Sequence, residues 1–301
     1  MHNPRPLLDL QLKMHYLLRQ PKSESFLGQL TLLENELVQQ LRFAPDQVLF
    51  ILVHLAASEL RQYSSIHALL VMTLCYLGAE QLGDLDSTKR QTLRYAALTM
   101  NISMTELQDN LAQRISVLDE TQRLEIASHS VRSAELLREL GCTDELWLET
   151  VTRHHEAQPG PLALRDPASQ LARLIQRADI FSSRISPRKA RAALSASAAA
   201  QMAYLGEDRL ADEAGAALIK AIGIYPPGCW VGLANGELAI VLRRGDKAHC
   251  PYVAAVVQPN GLPLASPRTR DTRLAEFGIN VSLAPDKVKF KPTLEFLLRL
   301  Q

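Results

Sequence analysis

The chain has 301 residues, 47% of them hydrophobic and 22% charged, which is ample for a sizeable core and rules out disorder and collagen-like composition. Its 33 basic and 32 acidic residues leave a formal net charge of +1. No global field exists to recruit nucleic acid or an anionic membrane, so any anion site must be local.

The N-terminal stretch Met1-His2-Asn3-Pro4-Arg5-Pro6-Leu7 carries prolines and no apolar segment of signal-peptide length. No later run is long and apolar enough to span a bilayer, so the expected setting is cytoplasmic, with no membrane partner. From about Pro6 to Gly223 the apolar residues recur at helical spacing. This predicts helices over 7–19, 24–41, 45–61, 64–82, 88–99, 105–115, 120–140, 144–155, 166–183, 187–204 and 208–222. Ser87 and Thr143 read as start signals, Gly83 and Gly141 as stops. Trp147, within 144–155, reads as core. Cys75, Cys142, Cys229 and Cys250 are scattered with no C-x-x-C pair, and are expected to be free thiols.

The register changes at Tyr225-Pro226-Pro227-Gly228. Strands are expected at 230–233 and 238–242, joined through Asn235-Gly236, the strongest short hairpin signal. Further strands are expected at 252–257 and 280–283, with a turn at Pro259-Asn260-Gly261 and a short helix over 292–300.

The histidines carry the chemistry. His154 and His155 are adjacent near a helix end, where neighbouring side chains diverge by about 100°, so both reach one site only if it lies between them. Taken alone, the pair is either a ligand pair or a feature of a polar loop. Arg188 and Arg191 are three apart, which on a helix gives them one face, either a phosphate clamp or a solvated basic surface.

Several segments, in order, resemble the HD-GYP branch of the HD phosphohydrolases. Residues 63–67 (Y-S-S-I-H) are similar to the Y-T-x-x-H-S opening of that family, and 126–129 (I-A-S-H) to its I-x-x-H-P. Residues 154–156 (H-H-E) match its H-H-E, 178–181 (A-D-I-F) its A-D-x-F/Y, and 188–191 (R-K-A-R) its R-P-Y-R. The segment 222–237, containing Tyr225-Pro226-Pro227-Gly228 and Asn235-Gly236-Glu237, resembles what often follows those helices.

The resemblance implies a mainly α fold, an HD-type helical bundle at 48–224, with an N-terminal helical extension at 1–47 and a small β-rich unit at 225–301. It implies metal ligands at His67, His129, His154, His155 and Asp179, phosphate contacts at Arg188 and Arg191, and metal-dependent hydrolysis of cyclic di-GMP. It also implies that the five ligand positions converge, with Met100 and Asn101 on the remaining wall.

Residues 96–104 read A-A-L-T-M-N-I-S-M where the family has A-A-L-L-H-D-I-G-K. Asn101 replaces the carboxylate that bridges two metal ions, and a neutral amide cannot offset the repulsion between two dications. Met100 replaces a histidine by a thioether, a poor ligand for the harder ions. Met104 removes the phosphate-binding lysine, and the family's G-Y-P loop has no counterpart in Ala157-Gln158-Pro159-Gly160-Pro161.

The catalytic set is therefore read as degraded at Met100, Asn101 and Met104. The expected cofactor is none, or one iron- or zinc-like divalent ion at His129, His154 and His155. Glu156 is read as orienting a histidine. The expected function is a signalling or binding module with a cyclic dinucleotide or a signalling protein as partner; a divergent metal-dependent phosphodiesterase is the alternative.

Overall fold

A computed structural model describes residues 5–22, 25–83, 85–115, 117–156 and 159–299. The reading of the first residues as free of a signal segment, and part of the short segment after Glu156, lie outside the described residues.

The helical part comprises α1 (Arg5–Arg19), α2 (Phe26–Phe43), α3 (Pro45–Ser58), α4 (Tyr63–Ala79), α5 (Ser87–Thr99), α6 (Thr105–Ala112), α7 (Glu120–Glu139), α8 (Glu145–Arg153), α9 (Pro167–Ile185), α10 (Ala196–Tyr204) and α11 (Glu213–Ile222). Side-chain caps set many of the starts. Asp86, Asp144, Asp166, Ser195 and Asp212 each accept a backbone N–H from the first turn that follows, satisfying donors a helix start leaves open. Asp119 and Gln122 form a capping box at α7. The expected starts at Ser87 and Thr143 thus fall one residue from the true caps, Asp86 and Asp144. Gly141, with φ of +91°, follows α7 where only glycine turns cheaply.

α4 is buried on nearly every side and packs against α1, α3, α5, α9 and α11. It is the central rod of the bundle, as expected of a helix apolar all round. α7 is its opposite, a surface helix burying only His129, Ser133, Ala134 and Leu137. Those positions form one stripe at helical spacing, and His129 is on it.

Expected helices over 45–61, 64–82 and 105–115 end early, at Ser58, Ala79 and Ala112, and two others begin several residues late. Residues 187–204 do not form one helix: 187–195 run as a tight turn closed by paired backbone bonds between Arg188 and Arg191, and α10 begins only after the Ser195 cap. Likewise 208–212 precede α11, because Asp208 accepts the Leu210 N–H in a local turn and Leu205 pairs with Ala211. Side chains that bond their own backbone compete with helix at such places.

After the turn at Gly228 come β1 (Trp230–Leu233), β2 (Leu238–Arg243), β3 (Tyr252–Val257), β4 (Pro263–Asp271) and β5 (Ile279–Leu283), then α12 (Leu294–Leu298). The strands form one antiparallel sheet in the order β4-β3-β2-β1-β5, with Trp230 opposite Ile240 and Val231 opposite Ala239. Gly236 makes the β1–β2 turn at φ of +84°. β4 was not expected from sequence, since its two prolines and alternating charges lack an apolar face; it is an exposed edge strand, where such residues are tolerated. The architecture is mainly α with a C-terminal β unit. α3 packs on β2, and a Cβ at Gly228 would meet Phe50 O at 2.5 Å, so the chain enters the sheet pressed against α3. No single described helix is long and apolar enough to cross a membrane. Cys75, Cys142, Cys229 and Cys250 are free.

Candidate metal centre

His129 from α7 meets His154 and His155 from the end of α8. One ring nitrogen from each can be chosen so that all three lie within 4.8 Å of one another. His129 Nε2 is 3.2 Å from His154 Nε2 and 3.1 Å from His155 Nε2. The other nitrogens of His129 and His154 sit 2.6 Å from the carbonyl oxygens of Ile126 and Val151. A carbonyl only accepts, so both Nδ1 atoms carry the proton and both Nε2 atoms present lone pairs. Lone pairs facing each other at this distance repel unless a cation lies between them.

Tetrahedral zinc with Zn–N bonds of about 2.0–2.1 Å separates its ligand nitrogens by about 3.3–3.4 Å. The donor set therefore fits a metal ion. Burial pushes the His154 imidazole down to about 3, with the neighbouring His155 and His129 adding to the effect and the bond to Val151 O opposing it. Burial lowers His129 as well, against the bond to Ile126 O. Both are neutral near pH 7, the state a metal requires. His129 and His154 are buried while His155 and Glu156 are exposed, so the cluster opens to solvent on the His155 side.

His67 and Asp179 form a second, separate pairing. His67 Nε2 lies 2.9 Å from Asp179 Oδ1, though off the line of a good hydrogen bond, and His67 Nδ1 lies 2.9 Å from Ser182 Oγ. Tyr63 stacks on His67 with the rings 5.6 Å apart. Burial would raise the Asp179 pKa, but His67 contact and the charges of His67, His155 and His154 outweigh it and hold the carboxyl below the usual range. Asp179 is thus within the field of both histidine groups, although its oxygens are not part of the tight three-nitrogen cluster.

Met100 and Asn101 line a cavity of about 10 Å³ with His67, Ser64 and Gln108. That is room for about one water and no phosphate. Asn101 Oδ1 and Ser64 Oγ are buried there without partners. Met100 and Met104 are buried apolar side chains, 1% and 8% exposed. Trp147 is core as expected, with its indole N–H on Thr99 Oγ1.

Arg188 and Arg191 do not share a helix face, because the segment is a turn. Arg191 Nη2 donates to the Ser183 and Ser186 carbonyls, closing the end of α9. Arg188 donates to Tyr63 Oη at 3.1 Å and lies over the Tyr63 ring, with its Nε buried and unpartnered. Glu156 is engaged through its carbonyl, which accepts from Gln176, rather than through its carboxylate. Ser182 and Gln176 were missed in the sequence, although both lie three residues from Asp179 on the same helix.

Comparison with known proteins yields one distant relative, 26% identical over 201 residues and from Pseudomonas aeruginosa. That relative is a cyclic di-GMP phosphodiesterase. The match covers 65% of this chain and 48% of the relative, so the chain spans about half the length of the curated protein it matches. No family model and no solved structure matches the chain.

Proposed function

We propose that this chain is a degraded HD-GYP-type module, with an HD-type bundle over 48–224 between an N-terminal extension (1–47) and a β-rich unit (225–301). It holds one divalent ion at His129, His154 and His155, and recognises a cyclic dinucleotide in the cytoplasm without efficient hydrolysis. It relays that state to a signalling protein. The observation that carries this reading is the asymmetry of the two histidine groups: three imidazoles converge as a donor set, while the second group offers one imidazole, His67, whose Nδ1 is engaged by Ser182, and one carboxylate, Asp179, beside a neutral Asn101.

When bound, the ion would supply a Lewis-acidic centre toward a phosphoryl oxygen. The protein's own groups do the rest. Nδ1–H bonds to Ile126 O and Val151 O fix two imidazoles in the ligating tautomer. Arg188 is anchored on Tyr63, with its Nε–H buried and unpartnered. Met104, buried and apolar, offers no charge at the lysine position.

A divergent phosphodiesterase is the second reading, favoured by the activity of the named relative. Incubation of the metal-loaded full chain with cyclic di-GMP, followed by chromatography of the linear product, separates the two. Binding with negligible turnover is expected; robust turnover lost in His154→Ala would establish the second reading.

A further inference from the structure

We infer that Gln176 is a positioning residue for the three-histidine cluster, tying the turn that carries His154 and His155 to a buried arginine–carboxylate cluster. The inference rests on the reading that those imidazoles hold an ion.

Gln176 is 7% exposed on α9. Its Oε1 accepts from Arg173 Nη1 at 2.6 Å and Arg177 Nη2 at 3.4 Å. Guanidinium groups only donate, so the amide cannot flip, and its Nε2 is directed to Glu156 O at 3.3 Å. The arginines are themselves fixed. Arg173 donates to both oxygens of Glu207 and to Asp212, and Arg177 donates to Leu205 O and Glu207. With 1% and 2% side-chain exposure, they are among the most buried charges in the chain.

Two guanidiniums against two carboxylates leave the cluster neutral. Such a buried cluster adds little net stability over well-packed apolar residues, and what it supplies here is orientation. Asp212 also caps α11, so the cluster joins α9, the 205–212 segment and α11 into one frame.

The turn is held at both ends. Arg153 reaches Asp166 and Ser169 at the start of α9, Glu156 N–H closes on Arg153 O at 2.8 Å, and Glu156 O is held by Gln176. Between these anchors lie the two histidines. His154 has its own bond to Val151 O, but His155 is exposed, so its direction depends most on the backbone that carries it.

The test is titration of the full chain with zinc alone, followed by calorimetry, for wild type, Gln176→Ala and Gln176→Glu. Gln176→Glu keeps an acceptor for both guanidiniums, loses the donor to Glu156 O and adds a charge to a neutral cluster, so its melting temperature is measured beside the affinity and the titration is run well below it. Both variants are expected to bind about three- to tenfold more weakly at unchanged stoichiometry. Wild-type affinity in Gln176→Glu would overturn the inference and leave Gln176 as a support of the arginine cluster only. If wild type takes up no ion, the reading of the site fails. The His155 imidazole resonances then decide the inference: a shift in Gln176→Glu sustains it, and unchanged resonances overturn it.

Discussion

Asn101 sits where the sequence resemblance places a bridging carboxylate, and its Oδ1 is buried without a partner beside His67. Met100→His with Asn101→Asp restores an imidazole and an anion at that wall, and metal analysis should then rise from one ion per chain to two. Adding Met104→Lys is a poorer test, because Met104 is 8% exposed and an ammonium there would be desolvated. Arg191 serves the fold: Arg191→Ala should cost about 1.5–3 kcal/mol in denaturant unfolding, the worth of hydrogen bonds from a charged donor. Zinc affinity should stay unchanged. A loss of ligand binding without loss of stability would instead return Arg191 to the phosphate role that the family resemblance implies. The three histidines were legible as residues because imidazoles in this order carry chemistry by type. Their tautomers were not, since Ile126 O and Val151 O are backbone acceptors that no side-chain pattern announces.

At the scale of elements, α9 does most of the positioning. Arg173, Gln176, Asp179 and Ser182 recur every three residues along it. Each is turned by about 60° from the one before, so the row winds round the helix rather than filling one face, and the partners of Arg173 lie 34 and 39 residues further on, so nothing local marked it as buried and paired. Burial would raise the Glu207 pKa, but bonds and charge from Arg173 and Arg177 outweigh it, lowering the group to about 2 from an ordinary 4.5. A folded-state pKa below the unfolded one stabilises above the unfolded value and fades as pH falls through the folded value. Stability should therefore drop between about pH 4.5 and pH 2, and Glu207→Gln should flatten that part of the unfolding profile. An unchanged slope in Glu207→Gln would mean the pair with Arg173 contributes nothing. The turn at 187–195 escaped the sequence because Arg188, Lys189, Ala190 and Arg191 all tolerate helix, and the Arg188–Arg191 backbone pairing has no side-chain signature.

For the whole molecule, the change from bundle to sheet was readable at Tyr225-Pro226-Pro227-Gly228 because helical spacing gives way there to alternation and an Asn-Gly turn. β4 was not, since edge strands need no apolar face. The chemical outcome depends on charge summed over the site: Asp179 brings one carboxylate and Asn101 a neutral amide, too little negative charge to offset the repulsion between two dications. Metal analysis of the full chain purified without chelator measures this directly. One ion per chain is expected, abolished in His154→Ala with the fold retained. Two ions per wild-type chain, or one that survives His154→Ala, would contradict a single-ion site at His129, His154 and His155.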